Sequence, residues 1–266
     1  MAYNETVHSP LNTESAILPP ESVIFGRSPT MELVRQSIER IKGSNVPVLI
    51  QGASGTGKEV VATFLHYQSP SSTGPLVKVN CPGIPSTLQE SELFGHEKGA
   101  FTGAYDSRPG RVEMADRGTL FLDEIAELDP GIQAKLLQLV QNGQFARVGA
   151  REDRLAKIRL ICATNRHLEE EILTDGFRQD LYFRISVFSV HLPPLRDRSE
   201  DIPGLVDYFL MVHSSTLNRP AKPLSPALMK LFNLYEWPGN IRQLENLIKR
   251  YLIVGNEKAI RSDLFG

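Results

Sequence analysis

The sequence predicts an α/β domain, a parallel sheet sandwiched by helices, followed by a smaller C-terminal helical domain. Three observations carry this expectation. From Val46 to Leu192, short apolar runs alternate with segments of helical periodicity, the pattern of strands buried on both faces and the helices that cover them. The glycine-rich run Gly52 to Lys58 sits between a strand pattern and a helix pattern. Beyond Pro193-Pro194 only helical periodicity remains.

The elements follow in order. Residues 1–22 carry three acids, no Lys or Arg, and Pro10, Pro19 and Pro20 without any period, so a flexible tail or linker is expected there. Met31, Val34, Ile38 and Ile41 recur at helical spacing, with Gly43 as a stop signal. Val46 to Gln51 reads as a buried strand, Lys58 to Tyr67 as a helix and Leu76 to Cys81 as a strand. Thr87 to Phe94 is a short helix and Thr119 to Leu122 a strand. Pro130 to Gln141 is a helix with Ile132, Leu136, Leu139 and Val140 on one side. Ile158 to Ala163 is a strand, Leu168 to Thr174 a helix and Ser186 to Leu192 a strand. The helical part holds Ile202 to Leu217, Pro226 to Tyr235 and Ile241 to Val254. The expected division is residues 1–22 tail, 23–195 α/β domain and 196–266 helical domain.

Composition narrows the function. The 266 residues suit one large domain with a smaller companion, and 41% apolar with 23% charged residues excludes collagen-like or low-complexity chains. A formal net charge of −2 excludes coating DNA or an anionic membrane by bulk charge. Cys81 and Cys162 lack metal-site spacing and lie beside strand-like runs, so buried reduced thiols are expected. No apolar stretch approaches the ~20 residues that span a bilayer, and a cytoplasmic protein with no membrane partner is expected.

The chemistry lies at three strand ends. Gly52-Ala53-Ser54-Gly55-Thr56-Gly57-Lys58 follows Val48-Leu49-Ile50-Gln51 and precedes a helix, the setting of a P-loop. Its glycines let backbone amides converge on phosphate oxygens at a helix N-terminus, and Lys58 reaches the β- and γ-phosphates. Position 59 is Glu rather than the Ser or Thr that usually ligates Mg²⁺, which leaves that ligand open. The strand Thr119 to Leu122 runs into Asp123 and Glu124. Asp123 suits the Mg²⁺ shell, directly or through water, and Glu124 suits polarising the attacking water. Asn165, after the strand Ile158 to Ala163, suits a place between the γ-phosphate and that water. Gly99 and Gly103 bracket Ala100, Phe101 and Thr102 in a sharp, movable loop, with Phe101 either at its tip or tucked into the core. A second movable segment is expected at Asn142 to Leu155, where Gly143, Gly149 and a run of charges break the α/β rhythm.

Glu92 to Lys98 leads into Gly99-Ala100-Phe101-Thr102-Gly103-Ala104, the GAFTGA signature. With the Gly-Lys-Glu ending of the P-loop, Leu122-Asp123-Glu124, Phe177 to Arg184, Leu192 to Arg196 and Trp237-Pro238-Gly239-Asn240-Ile241-Arg242, it makes the chain from Val23 onward resemble the AAA+ ATPase domain of bacterial enhancer-binding proteins, the activators of sigma-54 RNA polymerase. Glu59 is usual in that family.

The resemblance implies an AAA+ P-loop NTPase with a helical lid that binds ATP or ADP with Mg²⁺ and assembles as a ring, expected to be a hexamer. Val23, Ile24, Phe25 and Gly26 would wall the adenine pocket, and Gly52 to Lys58, with Glu59 and Val60, would hold the phosphates. Asn80 would swing Glu124 between active and inactive poses, and Asn165 would sense the nucleotide. Arg178 and Arg184 would be arginine fingers entering the neighbouring subunit's site, and Arg242 the sensor on the lid. Arg242 lies off the apolar stripe of Ile241, Leu244, Ile248, Tyr251 and Leu252, free to point at a site. Gly99 to Ala104 would contact sigma-54, with promoter or enhancer DNA bound mainly by a domain absent from this chain. Whether the chain is an excised domain or a minimal activator stays open. The rivals are a P-loop kinase or GTPase, a nucleotide-sensing module without turnover, and direct DNA binding by Ile241 to Val254. The helical segment, the paired acids and the net charge argue against them.

Overall fold

A strand buried on both faces needs apolar side chains at successive positions, because alternate residues point to opposite sides. The computed structural model, which describes residues 18–220 and 222–265, places five such strands in one parallel sheet. They are β1 Val48–Gln51, β2 Leu76–Asn80, β3 Thr119–Asp123, β4 Arg159–Thr164 and β5 Phe188–His191. The order across the sheet is β2-β3-β4-β1-β5. In β3, Leu120 and Leu122 face one core with Leu49, Val79, Leu160 and Cys162, while Phe121 faces the other with Val48, Ile50, Ile161 and Val190.

Helices α1 Pro29–Glu39 and α2 Lys58–Tyr67 pack on the Phe121 face. α3 Ser86–Phe94, α4 Pro130–Asn142, α5 Leu168–Leu173 and α6 Gln179–Ile185 contribute to the other. Ends follow local chemistry. The Ser28 hydroxyl caps α1 at Met31 N, and α4 stops at left-handed Gly143. Strand β2 ends at Asn80 rather than Cys81, because Cys81 and Pro82 open a 3₁₀ turn. Both cysteines are free and buried, and burial pushes the Cys81 thiol up to about 12.

The lid consists of α7 Ile202–Leu217, α8 Pro226–Leu234, α9 Asn240–Val254 and α10 Glu257–Phe265. It packs around fully buried Trp237 and Phe232, and Trp237 Nε1 donates to Phe232 O at 2.8 Å. Two helices longer than one turn were not expected from the sequence. α6 spans too few residues to show a period, and only Leu181 and Ile185 of it are buried. α10 carries few apolar residues and follows α9 after Gly255. The segment 142–155 forms a short antiparallel ladder, Gln144–Phe145 with Arg154–Leu155. The expected N-terminal tail lies outside the described residues as far as residue 17. Within its last part, Leu18 packs against the core and a one-turn helix covers Glu21–Ile24.

The linker between the domains is a 3₁₀ segment, Leu195–Asp201, kinked at Arg198. Its last residue grips the start of the fold: the Asp201 carboxylate accepts hydrogen bonds from Arg27 N, Ser28 N at 2.8 Å and Ser28 Oγ at 2.7 Å. Gly26, at φ +62°, leaves room for that carboxylate; a Cβ there would lie 2.2 Å from Asp201 Cγ. Asp201→Ala strands these buried donors and is expected to cost about 2–4 kcal/mol, read as a lower midpoint in urea unfolding at unchanged slope. Parental stability would remove this anchor from the account of the fold.

Candidate nucleotide site

The strand order places the carboxyl ends of β3, β4 and β1 side by side, and the site is built there. Beyond β1, Gly55 and Gly57 take positive φ values of 78° and 102°, which glycine adopts without a Cβ clash. Lys58 opens α2, and its ammonium donates to Gly52 O at 2.9 Å and Glu124 Oε1 at 3.1 Å. Glu124 follows β3 in a left-handed backbone conformation, φ 55° and ψ 56°, a strained state for a non-glycine residue. Its second oxygen accepts from Asn165 N at 2.8 Å at the end of β4. One ammonium and one carboxylate thus join the ends of three strands.

Asp123 lies beside this pair, and its buried Oδ1 has no hydrogen-bond partner among the described residues. Burial, followed by the charge of Glu124, raises its pKa, and Lys58 opposes the shift. An unpartnered carboxylate oxygen facing a polyanion site fits a hard divalent cation such as Mg²⁺. Glu59 is engaged elsewhere: its Oε1 accepts from Lys78 Nζ on β2 at 2.8 Å.

A cleft of about 400 Å³ opens over these groups. Ser54, Gly55, Thr56, Gly57, Lys58, Glu59, Val60, Asp123 and Glu124 form its floor, Val23 and Ile24 one wall, and Leu205, Tyr208, Phe209, Ile241 and Arg242 of the lid the other. Gly26, Gly52 and Ala53 shape the chain without lining the cleft. Arg242 Nη1 donates to Ser54 Oγ at 3.2 Å, which places the expected lid sensor over the phosphate loop.

Other expected site residues lie apart from the cleft. Asn80 is paired in register with Asp123, but its amide lies beside Gly83, and Glu124 is held by Lys58 and Asn165 instead. Arg178 forms a two-pronged pair with Asp180, at 3.0 and 2.7 Å. Arg184 reaches Val140 O at 3.4 Å. Both arginines are exposed. The loop Gly99 to Ala104 is also remote; Gly99 N donates to Ala104 O at 2.8 Å and closes it. Phe101 is 41% exposed, with its ring edge-on to His96 at 5.0 Å, so it is a loop residue and not core. At the base, Arg147 bonds Glu97 at 3.2 Å and Glu113 at 2.6 Å, and Arg154 bonds the same two acids at 3.0 and 3.1 Å. These ion pairs tie the loop to the segment 142–155.

A family profile described as "Sigma-54 interaction domain" matches residues 24–191, and one described as "AAA+ ATPase lid domain" matches residues 196–265. The chain belongs to the sigma-54 interaction domain family. It is 46% identical over 244 residues to a Nif-specific regulatory protein of Azotobacter vinelandii, covering 92% of this chain and 47% of that protein. It is 47% identical over 234 residues to the anaerobic nitric oxide reductase transcription regulator NorR of Salmonella paratyphi C, covering 88% and 46%. The chain therefore spans about half the length of these relatives. The solved structure of NtrX from Brucella abortus in complex with ATP superposes with a TM-score of 0.82 at 37% identity, over 87% of this chain and 50% of that one. The ADP complex of the same protein gives 0.80 over 86% and 51%, also at 37% identity. The chain is thus the AAA+ domain of the sigma-54-dependent activator type, with a nucleotide-binding P-loop fold. Among the described residues, no helix is long and apolar enough to cross a membrane.

Several residues of the linker and lid reach the cleft, or the phosphate loop beside it, without having been singled out from the sequence. Arg198 sits in a charged run that reads as a domain boundary, and Asn240 in a motif where Arg242 draws the attention. Tyr208, His213 and Glu245 also line the cleft, and His213 Nε2 lies 3.1 Å from Glu245 Oε1. The spacing of Tyr208 and His213 gives no signal, and Glu245 shows only as the i+3 neighbour of Arg242 off the apolar stripe of its helix; the lid brings all three to the core.

The raised pKa of Asp123 has a testable sign. Folding disfavours its ionised form, so the penalty is absent below the ordinary Asp range and grows as pH rises through the raised value. In chelator-treated, nucleotide-free protein, Asp123→Asn is expected to match or exceed the parent in thermal midpoint at pH 8, with the difference shrinking toward pH 4. A variant less stable than the parent at pH 8 would contradict the unpaired carboxylate.

Proposed function

We propose that this chain is an ATP-hydrolysing ring motor that drives promoter opening by pressing its GAFTGA loop on the sigma-54 factor of RNA polymerase. The observation that carries the reading is the half-exposed, glycine-bracketed Phe101 loop on a domain of this family, tied by ion pairs to a segment that leads into the Asn165 strand. The ATP and ADP complexes of NtrX support the same nucleotides here. The ring, expected to be hexameric, the DNA contacts made by parts outside this chain, and a cytoplasmic setting belong to the same reading.

In this mechanism the phosphate loop and Lys58 bind the triphosphate, and Val23 and Ile24 flank the base. Asp123 would hold Mg²⁺, directly or through water, and the ion would supply charge neutralisation on the phosphates. As the triphosphate takes over Lys58, Glu124 is freed to orient and polarise the attacking water, with Asn165 beside it. Arg178 and Arg184, exposed and outside their own cleft, supply charge to the site of a neighbouring copy. The change at Asn165 passes along residues 142–155 and, through Arg147 and Arg154, to the loop.

Glu124→Gln is expected to bind ATP and lose ~10² to 10⁴ in turnover. Arg178→Ala should lose ~10³ or more if it acts as a finger. Mixing the two inactive variants should restore measurable phosphate release, because some interfaces regain one intact copy of each group. Absence of rescue, with turnover per chain independent of concentration, would point to a monomeric enzyme. If turnover is absent from the parent while ATP binds, the chain is a nucleotide sensor instead.

Phe101→Ala should keep ATP hydrolysis near the parental rate, since the loop is remote from the cleft. It should lose sigma-54 binding in the presence of ADP–aluminium fluoride by over tenfold, as expected for an aromatic anchor worth ~2 kcal/mol. Normal binding on a native gel, and normal promoter opening, would remove the loop as the contact.

A further inference from the structure

The phosphate loop is held from outside along three consecutive carbonyls. Ser54 O accepts from Asn240 Nδ2 at 2.8 Å, Gly55 O from Ile241 N at 3.0 Å, and Thr56 O from Arg198 Nη2 at 2.8 Å. All three donors come from the linker and the lid. In a trans peptide the carbonyl and the following amide point to opposite sides of the chain. Fixing these three oxygens therefore fixes the amides of Gly55, Thr56 and Gly57 on the opposite edge of the loop. Thr56 N makes only a long contact to Ala53 O, at 3.4 Å.

The two side-chain donors are themselves built in. Arg198 is 2% exposed, donates through Nη1 to Met31 Sδ at 3.2 Å, and leaves helical backbone values at φ −142° and ψ 46°. Burial pushes its guanidinium down to about 10. Asn240 is also 2% exposed; its Oδ1 accepts from Leu195 N at 2.8 Å, and its φ of 51° is one that asparagine tolerates.

We propose that the lid and linker clamp the outer carbonyl row of the phosphate loop, making Arg198 and Asn240 positioning residues that hold its amides ready for a nucleoside polyphosphate. This rests on the reading of the cleft as an ATP site. By linkage, a loop set by the lid binds nucleotide more tightly with the lid in place, and nucleotide in turn holds the lid down.

Asn240→Asp is the sharpest probe. It keeps the size, the left-handed backbone and the acceptor for Leu195 N, but sets a carboxylate oxygen against Ser54 O. Arg198→Lys keeps the charge and loses the planar fork. Phe232→Leu, in the lid core away from the cleft, controls for loss of lid stability. The full chain is titrated calorimetrically with ADP and with ATP, and amide hydrogen exchange is followed without nucleotide. Asn240→Asp should weaken both nucleotides about tenfold or more and speed exchange across residues 53–60. Arg198→Lys should do the same to a smaller extent. Phe232→Leu should lower the unfolding midpoint comparably and change neither. Parental affinity and exchange in Asn240→Asp, or an equal affinity loss in Phe232→Leu, would overturn the clamp. If Asn240→Asp does not fold, Arg198→Lys carries the same comparison with Phe232→Leu. If the parent binds neither nucleotide, the ATP reading fails, and the exchange data still decide whether the clamp holds the loop.

Discussion

A parallel ladder buried on both faces leaves polar chemistry only at its strand ends, and the rest of this structure depends on that constraint. With β1 placed between β4 and β5, the ends of β1, β4 and β3 adjoin. Lys58, Asn165 and Glu124, far apart in sequence, come within hydrogen-bond reach. The Lys58–Glu124 pair is largely buried, so each group's charge is balanced locally, while Asp123 keeps an oxygen without a partner among the described residues. In the proposed reading, a bound polyanion and its cation would relieve the electrostatic cost held at such a site, in keeping with the strained backbone at Glu124.

The lid is joined to this site by directed bonds as well as by apolar packing. Asp201 holds the start of α1, Arg198 reaches Thr56, and Asn240 bridges Leu195 and Ser54. Each links an element of the linker or lid to the core through a buried polar atom, where an unmade bond is expensive. Directed bonds of this kind favour discrete arrangements over continuous sliding.

The nucleotide cleft and the proposed contact loop are kept apart in space. The loop carrying Phe101 has its own small scaffold, the pairing of Gly95–His96 with Arg108–Pro109. The four-membered ion cluster of Glu97, Glu113, Arg147 and Arg154 fixes that scaffold to the segment before β4. Partly buried pairs in a network hold better than isolated surface pairs, so the loop is supported at its base while its tip stays open. Among the described residues nothing lies within 4 Å of where a Cβ would stand at Gly99 or Gly103, so both hinge positions are free of packing while Phe101 rests on His96.

The sequence by itself determined the local parts: the apolar runs that become β1 to β5, the strand–loop–helix setting of Gly52 to Lys58, the acids closing β3, and the glycines around Phe101. Each depends on residues adjacent in the chain, where periodicity and turn chemistry act directly. The short α6, the polar α10 and the ladder at 142–155 were illegible because too few buried residues mark them. Strand order, the seat of Glu124 between Lys58 and Asn165, the capture of Glu59 by Lys78, the bond of Asn240 to the phosphate loop, and the reach of Arg198, Tyr208 and Glu245 to the cleft came only from tertiary packing. Those partners are chosen by which surfaces bury against each other, and no local pattern encodes that choice.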